Sequence, residues 1–253
     1  MVYKIRSRII PTLLLSNGGL VKTKKFKDPR YLGDPRNIVK LFNDKEADEL
    51  VLLDISATNE RREPNFELIS EIVSECFMPL GYGGGVTKVD HVTRLISLGI
   101  EKVVINSAAV TNSLLISKSA KIVGSQSVVV SLDVKKRRIF GGYEVCTHSG
   151  CKRTGRDPLS FAKEMQHAGA GELFVNFIDR DGMMNGYDIA YVNEITSSVG
   201  IPVIVCGGAG SVSDLKEVTL AGASGAAAGS LFVFHGKHKA VLISFPSQTE
   251  LSW

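Results

Sequence analysis

The sequence predicts a single (β/α)8 barrel over residues 1–253, and three observations predict it. Short runs rich in Val, Ile and Leu recur along the chain, segments of helical period alternate with them, and the pattern of the first half returns in the second. Strands separated by helices pair in parallel, which leaves a closed barrel or an open doubly wound sheet. The repeat favours closure. Ala47-Asp-Glu-Leu is echoed by Ala170-Gly-Glu-Leu, Tyr82-Gly-Gly-Gly by Cys206-Gly-Gly-Ala, and Asn106-Ser107 by Gly229-Ser230 at nearly constant offset. Two half-barrels, about 1–123 and 124–253, would close on each other as one ring.

The predicted strands cover 9–15, 50–55, 78–82, 102–106, 128–134, 173–178, 202–206 and 225–228. The first runs into the glycine turn Asn17-Gly-Gly. The stretch after it, Lys22-Thr-Lys-Lys-Phe-Lys27, carries four lysines and is expected to form a mobile lid over the barrel mouth. Lys24, Lys25 and Lys27 read equally as a solvated face or as a contact for an acidic protein or a nucleotide-bearing substrate. The first helix follows in Asp34-Pro-Arg-Asn-Ile-Val-Lys-Leu-Phe, where Asp34 is placed to cap and Pro35 to fill the first turn.

With 44% hydrophobic and 22% charged residues, the chain supports one large core. Its net charge of +4 is too small to argue for a nucleic-acid partner. The start lacks the apolar region of a signal peptide, and no apolar run approaches the roughly 18 residues of a membrane span, so a cytoplasmic protein without membrane contact is expected. The four cysteines show no CxxC spacing, and Cys146-x-His148-x-x-Cys151 lacks a fourth ligand; neither a disulfide, a metal nor a cofactor is expected.

In such a barrel, chemistry sits where strands end. Each half carries a glycine-rich turn after its third strand and a small polar pair after its fourth. These are Gly83, Gly84 and Gly85 with Asn106 and Ser107, and Gly207, Gly208 and Gly210 with Gly229 and Ser230. Glycine lets backbone N–H groups approach a phosphate, so the two cradles, with Gly182 counted beside the second, suit a small molecule phosphorylated at both ends.

Laying Ile9–Ser16 on the run from Val128 pairs Leu14 with Asp133. On opposite walls of a symmetric mouth, two acids could serve as acid and base; here one wall has lost its acid. Asp133 and Asp181 remain the catalytic candidates, with Asp54 a lesser one. Asp54 and Asp179 read equally as loop-capping acids.

RIIPxL, ADELVLLDI, YGGGV, KVVINSAAV, GSQSVVVSLDVK, THSGCKRTG, DRDGMMNGYD and PVIVCGGAG cover almost the whole chain, and together they resemble the cyclase subunit of imidazole glycerol phosphate synthase. The resemblance implies a (β/α)8 barrel that takes ammonia from a glutaminase docked at its bottom. At the top, the ammonia cleaves a bis-phosphorylated intermediate into imidazole glycerol phosphate and an aminoimidazole carboxamide ribotide. The family's acid–base pair matches Leu14 and Asp133, and leucine cannot move a proton, a step worth roughly 10²–10⁴-fold in rate. Asn176-Phe177, at a mouth position usually held by small hydroxyl residues, and Val233, where histidine is common, depart as well. Lys22 matches a phosphate-contacting residue. Arg8, Glu49, Lys102 and Glu172 match a ring of charges that gates ammonia at the barrel bottom, and also read as a stabilising cluster. The retained conduit and missing acid imply a branch that delivers ammonia to another enzyme, such as a sugar amidotransferase at the top face in acetamidino-sugar and lipopolysaccharide synthesis. The alternative is an ordinary lyase of histidine biosynthesis.

Overall fold

Eight parallel strands close into a ring in the computed structural model, which describes residues 6–137, 141–236 and 238–253. They are β1 (Arg8–Ser16), β2 (Leu50–Asp54), β3 (Leu80–Gly83), β4 (Lys102–Ile105), β5 (Val128–Lys136), β6 (Glu172–Phe177), β7 (Val203–Cys206) and β8 (Gly225–Ala228). Each pairs with the next, and β8 returns to β1 with Arg8 opposite Gly225 and Pro11 opposite Ala228. The ring is packed against helices outside and filled by side chains inside, and burial on both faces accounts for the apolar character of its strands.

Seven helices of nine residues or more cover the outside: α1 (Pro35–Asp44), α2 (Phe66–Ser74), α3 (Val89–Ser97), α4 (Ser113–Val123), α5 (Pro158–His167), α6 (Ile189–Ser198) and α7 (Val212–Leu220). Asp34 accepts from the N–H of Arg36 and Pro35 opens α1, as its sequence implies; Asp157 and Pro158 repeat the device at α5. On α1, Ile38, Val39 and Phe42 turn inward at helical spacing. Burying side chains of this size stabilises by about 1.5–3 kcal/mol each.

Where the alternation calls for an eighth helix, the described residues after β8 form the single turn Ser230–Val233 and a small hairpin, Phe234–His235 with Ala240–Val241. The rest of the chain, with its β-prone Val241-Leu-Ile and the helix-breaking Pro246, lies across the gap. Phe245 packs on Phe232 with ring centroids 5.4 Å apart, and Leu251 is fully buried.

The stretch expected as a mobile lid is folded as a hairpin. Strands Gly19–Lys24 and Lys27–Gly33 continue antiparallel from the top of β1, with Leu14 opposite Val21 and Ser16 opposite Gly19. Both connections have two residues with positive φ, Asn17 and Gly18 (52° and 77°) and Lys25 and Phe26 (51° and 61°), the twist a two-residue hairpin requires. A second antiparallel extension, Tyr143–Thr147 followed by Lys152–Arg153, rises from β5, on the opposite wall.

Side chains alternate between two cores. Residues such as Ile9, Leu13, Leu52, Val130 and Leu173 point out to the helices, while Ile10, Val51, Val104, Val129, Phe174 and Ile204 fill the barrel. Among the described residues no helix is long and apolar enough to cross a membrane.

Candidate functional site

The C-terminal strand ends open into a cavity of about 700 Å³. The first cradle forms one wall. Gly84 and Gly85 adopt φ of 126° and 68°, and a Cβ on either would lie 2.5 Å from the carbonyl oxygen of Asp54 or Arg62, so only glycine lets the turn press against the loop after β2. Asn106 donates to the carbonyl of Ser131 at 3.0 Å, and Ser107 donates to Asn106 Oδ1 while accepting the N–H of His148, both at 3.1 Å. The polar pair is therefore held rigid before any ligand arrives. Arg61 adds positive charge to this wall, while Lys88 there is paired with Glu63 at 2.9 Å; the Arg61-Arg62 doublet was the only signal for Arg61 in the sequence.

The second cradle lies beside the cavity, beneath the first hairpin. Lys22 Nζ pairs with Asp181 Oδ1 at 2.6 Å, the Thr23 hydroxyl donates to Asp181 Oδ2 at 2.8 Å, and the N–H of Lys25 reaches the Asp181 carbonyl at 2.9 Å. The Lys22 stem crosses Gly229 so closely that a Cβ there would be 2.8 Å from Lys22 Cε, and Gly182 is pressed under the backbone of Thr23 and Lys24. Gly207 abuts Phe177, Gly208 abuts Gly186, and Ser230 is buried at the start of its turn. Of the expected ligand-side residues, Leu14, Asp133, Gly84, Gly85, Asn106 and Ser107 line the cavity, whereas Lys22, Asp181, Gly182, Gly207, Gly208, Gly229 and Ser230 do not.

Asp133 sits across the β5–β6 register from Asn176 and is only 8% exposed. Burial pushes its carboxyl up to about 7 against a weak opposing hydrogen bond from Ser131, and the charge of Asp181 adds to the rise. Near neutrality such a group exchanges a proton readily. The facing wall offers Leu14 and Leu53, neither of which can. Asp54 spends one oxygen on Ser56 and the N–H of Ala57, at 2.9 to 3.0 Å, and Asp179 accepts the N–H of Lys136 at 2.8 Å; both shape loops.

One expectation is corrected. Asn176 faces the mouth, but Phe177 points the other way, edge-on to Tyr143 and Tyr191 with centroids 5.4 and 6.0 Å away, because neighbours along a strand face opposite sides. Val233 is likewise buried in the outer core. Asn176 Oδ1 and Thr12 Oγ1 are buried without a hydrogen-bond partner. Cys146 is buried and Cys151 exposed, and among the described residues no three metal-ligating side chains come together.

At the other end of the barrel, the four expected charges meet in a closed cycle. Arg8 pairs with both Glu49 and Glu172, and Lys102 Nζ reaches Glu49 at 2.9 Å and Glu172 at 2.9 Å. Burial works against the Arg8 charge, but hydrogen bonds and attraction from the two glutamates outweigh it and raise the guanidinium above its ordinary value. Above the cycle lies the apolar filling of Ile10, Val51, Val104, Val129, Phe174 and Ile204. On the same face of the barrel, Phe77 (85%), Ile122 (61%) and Leu220 (68%) are exposed, at the ends of the segments that lead into β3, β5 and β8.

Comparison with known proteins matches residues 8–239 to the family described as "Histidine biosynthesis protein". The chain is 52% identical over 248 residues to a Pseudomonas aeruginosa protein provisionally named imidazole glycerol phosphate synthase subunit hisF2, with 98% of each chain covered. It is 50% identical over 247 residues, 97% of each chain, to a Leptospira borgpetersenii protein provisionally named imidazole glycerol phosphate synthase subunit HisF. It is 42% identical over 228 residues, 90% of each chain, to the imidazole glycerol phosphate synthase subunit HisF of Petrotoga mobilis.

Proposed function

The chain belongs to the histidine biosynthesis family as a HisF-like barrel, and from that premise we propose that it receives ammonia from a glutaminase at the barrel base and passes it to an amination reaction at the top. One contrast carries the reading: the charge cycle of Arg8, Glu49, Lys102 and Glu172 is complete, while Asp133 faces Leu14 instead of a second acid. The exposed Phe77, Ile122 and Leu220 give the base the apolar contacts an obligate partner buries. Acetamidino-sugar synthesis for surface polysaccharide is the proposed destination, with a sugar amidotransferase as acceptor.

The second reading is imidazole glycerol phosphate synthase cyclase activity in histidine biosynthesis. The poised carboxyl of Asp133 and the intact first cradle favour it. In that case Gly84, Gly85, Asn106 and Ser107 would hold one phosphate, and Lys22, Gly182, Gly207, Gly208, Gly229 and Ser230 the other. The second catalytic acid would be Asp181 or Asp54. Asp181 is already committed to Lys22 and Thr23, while Asp54 spends one oxygen on its own loop and holds the other 3.5 Å from Arg62 at the cavity wall.

The test is reconstitution with a HisH-type glutaminase, glutamine and the bis-phosphorylated family substrate. Glutamine hydrolysis should rise on complex formation without release of imidazole glycerol phosphate. Release of that product at a steady rate comparable to hydrolysis would establish the second reading instead.

A further inference from the structure

The charge of this chain is segregated. Residues 19–33 carry five cations and one acid, and residues 134–156 carry seven cations and one acid, a surplus of +10 in a chain of net charge +4, so that the remainder sums to −6. The described residues of these two stretches form the antiparallel extensions that rise from β1 and β5, on opposite walls of the mouth. They meet above it: a Cβ on Gly150 would lie 3.1 Å from the Phe26 ring.

The cations on these extensions fall into two sets. Lys22, Arg153 and Arg156 each pair with an acid. Lys24, Lys25, Lys27, Lys136 and Lys152 are exposed, and none forms an ion pair among the described residues. Lys136 instead lies 5.9 Å from the centroid of the Tyr143 ring. Uncompensated like charges held on two neighbouring extensions repel one another, and an acidic surface laid across them relieves that repulsion. Tyr31, 66% exposed, and Met183, 40% exposed, stand beside them as apolar anchors of the kind that centre protein interfaces.

We propose that the two hairpins form a docking collar for an acidic face of the enzyme that consumes the ammonia. The inference rests on the reading that ammonia leaves through the mouth. Ammonia released into neutral water becomes ammonium, which has no lone pair for attack, so a barrel without its own amination chemistry has to deliver to a protein sealed over the opening. A nucleic acid fits less well. The cations ring a concavity instead of following a stripe, and Tyr31 is the sole strongly exposed aromatic side chain among the described residues of the two hairpins, where base binding calls for several stacking surfaces.

The experiment places a photo-crosslinking amino acid at Lys25, at Lys152 and, as a base-face control, at Phe77 of the full chain in its native cells. The collar positions should capture one common protein that Phe77 does not. That protein, purified, should bind the chain–glutaminase complex with a Kd raised about tenfold or more by the triple change Lys24→Glu, Lys25→Glu, Lys27→Glu, and raised by salt at concentrations that shorten the Debye length below ~10 Å. Glutamine hydrolysis should be unchanged by the triple variant. Capture of nucleic acid alone, capture of nothing at either collar position, or binding indifferent to the charge reversal would overturn the collar. The two proposals fail separately. A charge-sensitive partner that aminates nothing removes the ammonia-delivery reading and leaves the collar, whereas full glutamine-dependent product from the triple variant removes the collar and leaves delivery.

Discussion

Lys22 and Asp181 form a buried ion pair, Nζ to Oδ1 at 2.6 Å, that ties the first hairpin to the far side of the mouth across 159 residues of sequence. Both side chains are less than a tenth exposed. Asp181→Asn should therefore lower the stability of the barrel by about 3–5 kcal/mol, because Lys22 keeps its charge without a partner. Lys22→Met with Asp181→Leu should cost clearly less than Asp181→Asn alone. Chemical denaturation of the three proteins checks the order.

Restoring an acid opposite Asp133 tests descent from a cyclase. Leu14→Asp should produce measurable imidazole glycerol phosphate from the bis-phosphorylated substrate and ammonium, and Asp133→Asn on that background should abolish it. Leu14 is 6% exposed, so the change should also cost about 1–3 kcal/mol of stability, read as a drop in Tm. Absence of product would mean that the wall around Asn176 has diverged too far for one residue to repair.

Asp133 gives the fold a pH dependence. Burial pushes its folded carboxyl up to about 7, above the ordinary 3.8 of an aspartate, so between those values the folded state holds a proton that the unfolded chain has released. Stability from this group is complete below the unfolded value and is lost as pH rises toward 7, by an upper limit of about 4 kcal/mol. Asp133→Asn should flatten the slope and raise Tm most at pH above 7. A parallel slope in the variant would place the proton elsewhere.

The cycle at the base makes opposite predictions for its two readings. Lys102→Ala leaves Glu49 and Glu172, 3% and 5% exposed, with Arg8 alone. In the complex with a glutaminase, a gate lets ammonia escape, and glutamate exceeds aminated product. The stability loss should fall at or below the lower end of about 3–5 kcal/mol, because Lys102 itself is partly exposed and water can replace it. A larger loss with unchanged glutamate-to-product ratio would make the cycle a brace and no gate.

The alternation of apolar runs with helical periods was enough to place all eight barrel strands, because burial on both faces leaves little choice of residue. The four charges of the base cycle were legible only through the family resemblance, which picked them out at or just before strand starts. Two things were not. Lysine-rich segments carry no apolar pattern, so both hairpins were missed; their strands are held by turn geometry and by contacts such as Lys22 to Asp181, which no local spacing encodes. Phe177 was misplaced although period two was available: with Glu172, Phe174 and Asn176 facing in, residue 177 has to face out.

The short turn and extended tail that stand in for an eighth helix decide when the molecule can close during synthesis. β1 leaves the ribosome long before its partner β8 and the buried Leu251 that follows it. At translation speeds of about 5–20 residues per second, an unsealed first strand waits for many seconds with its apolar face exposed. Chaperone dependence should concentrate on that interval.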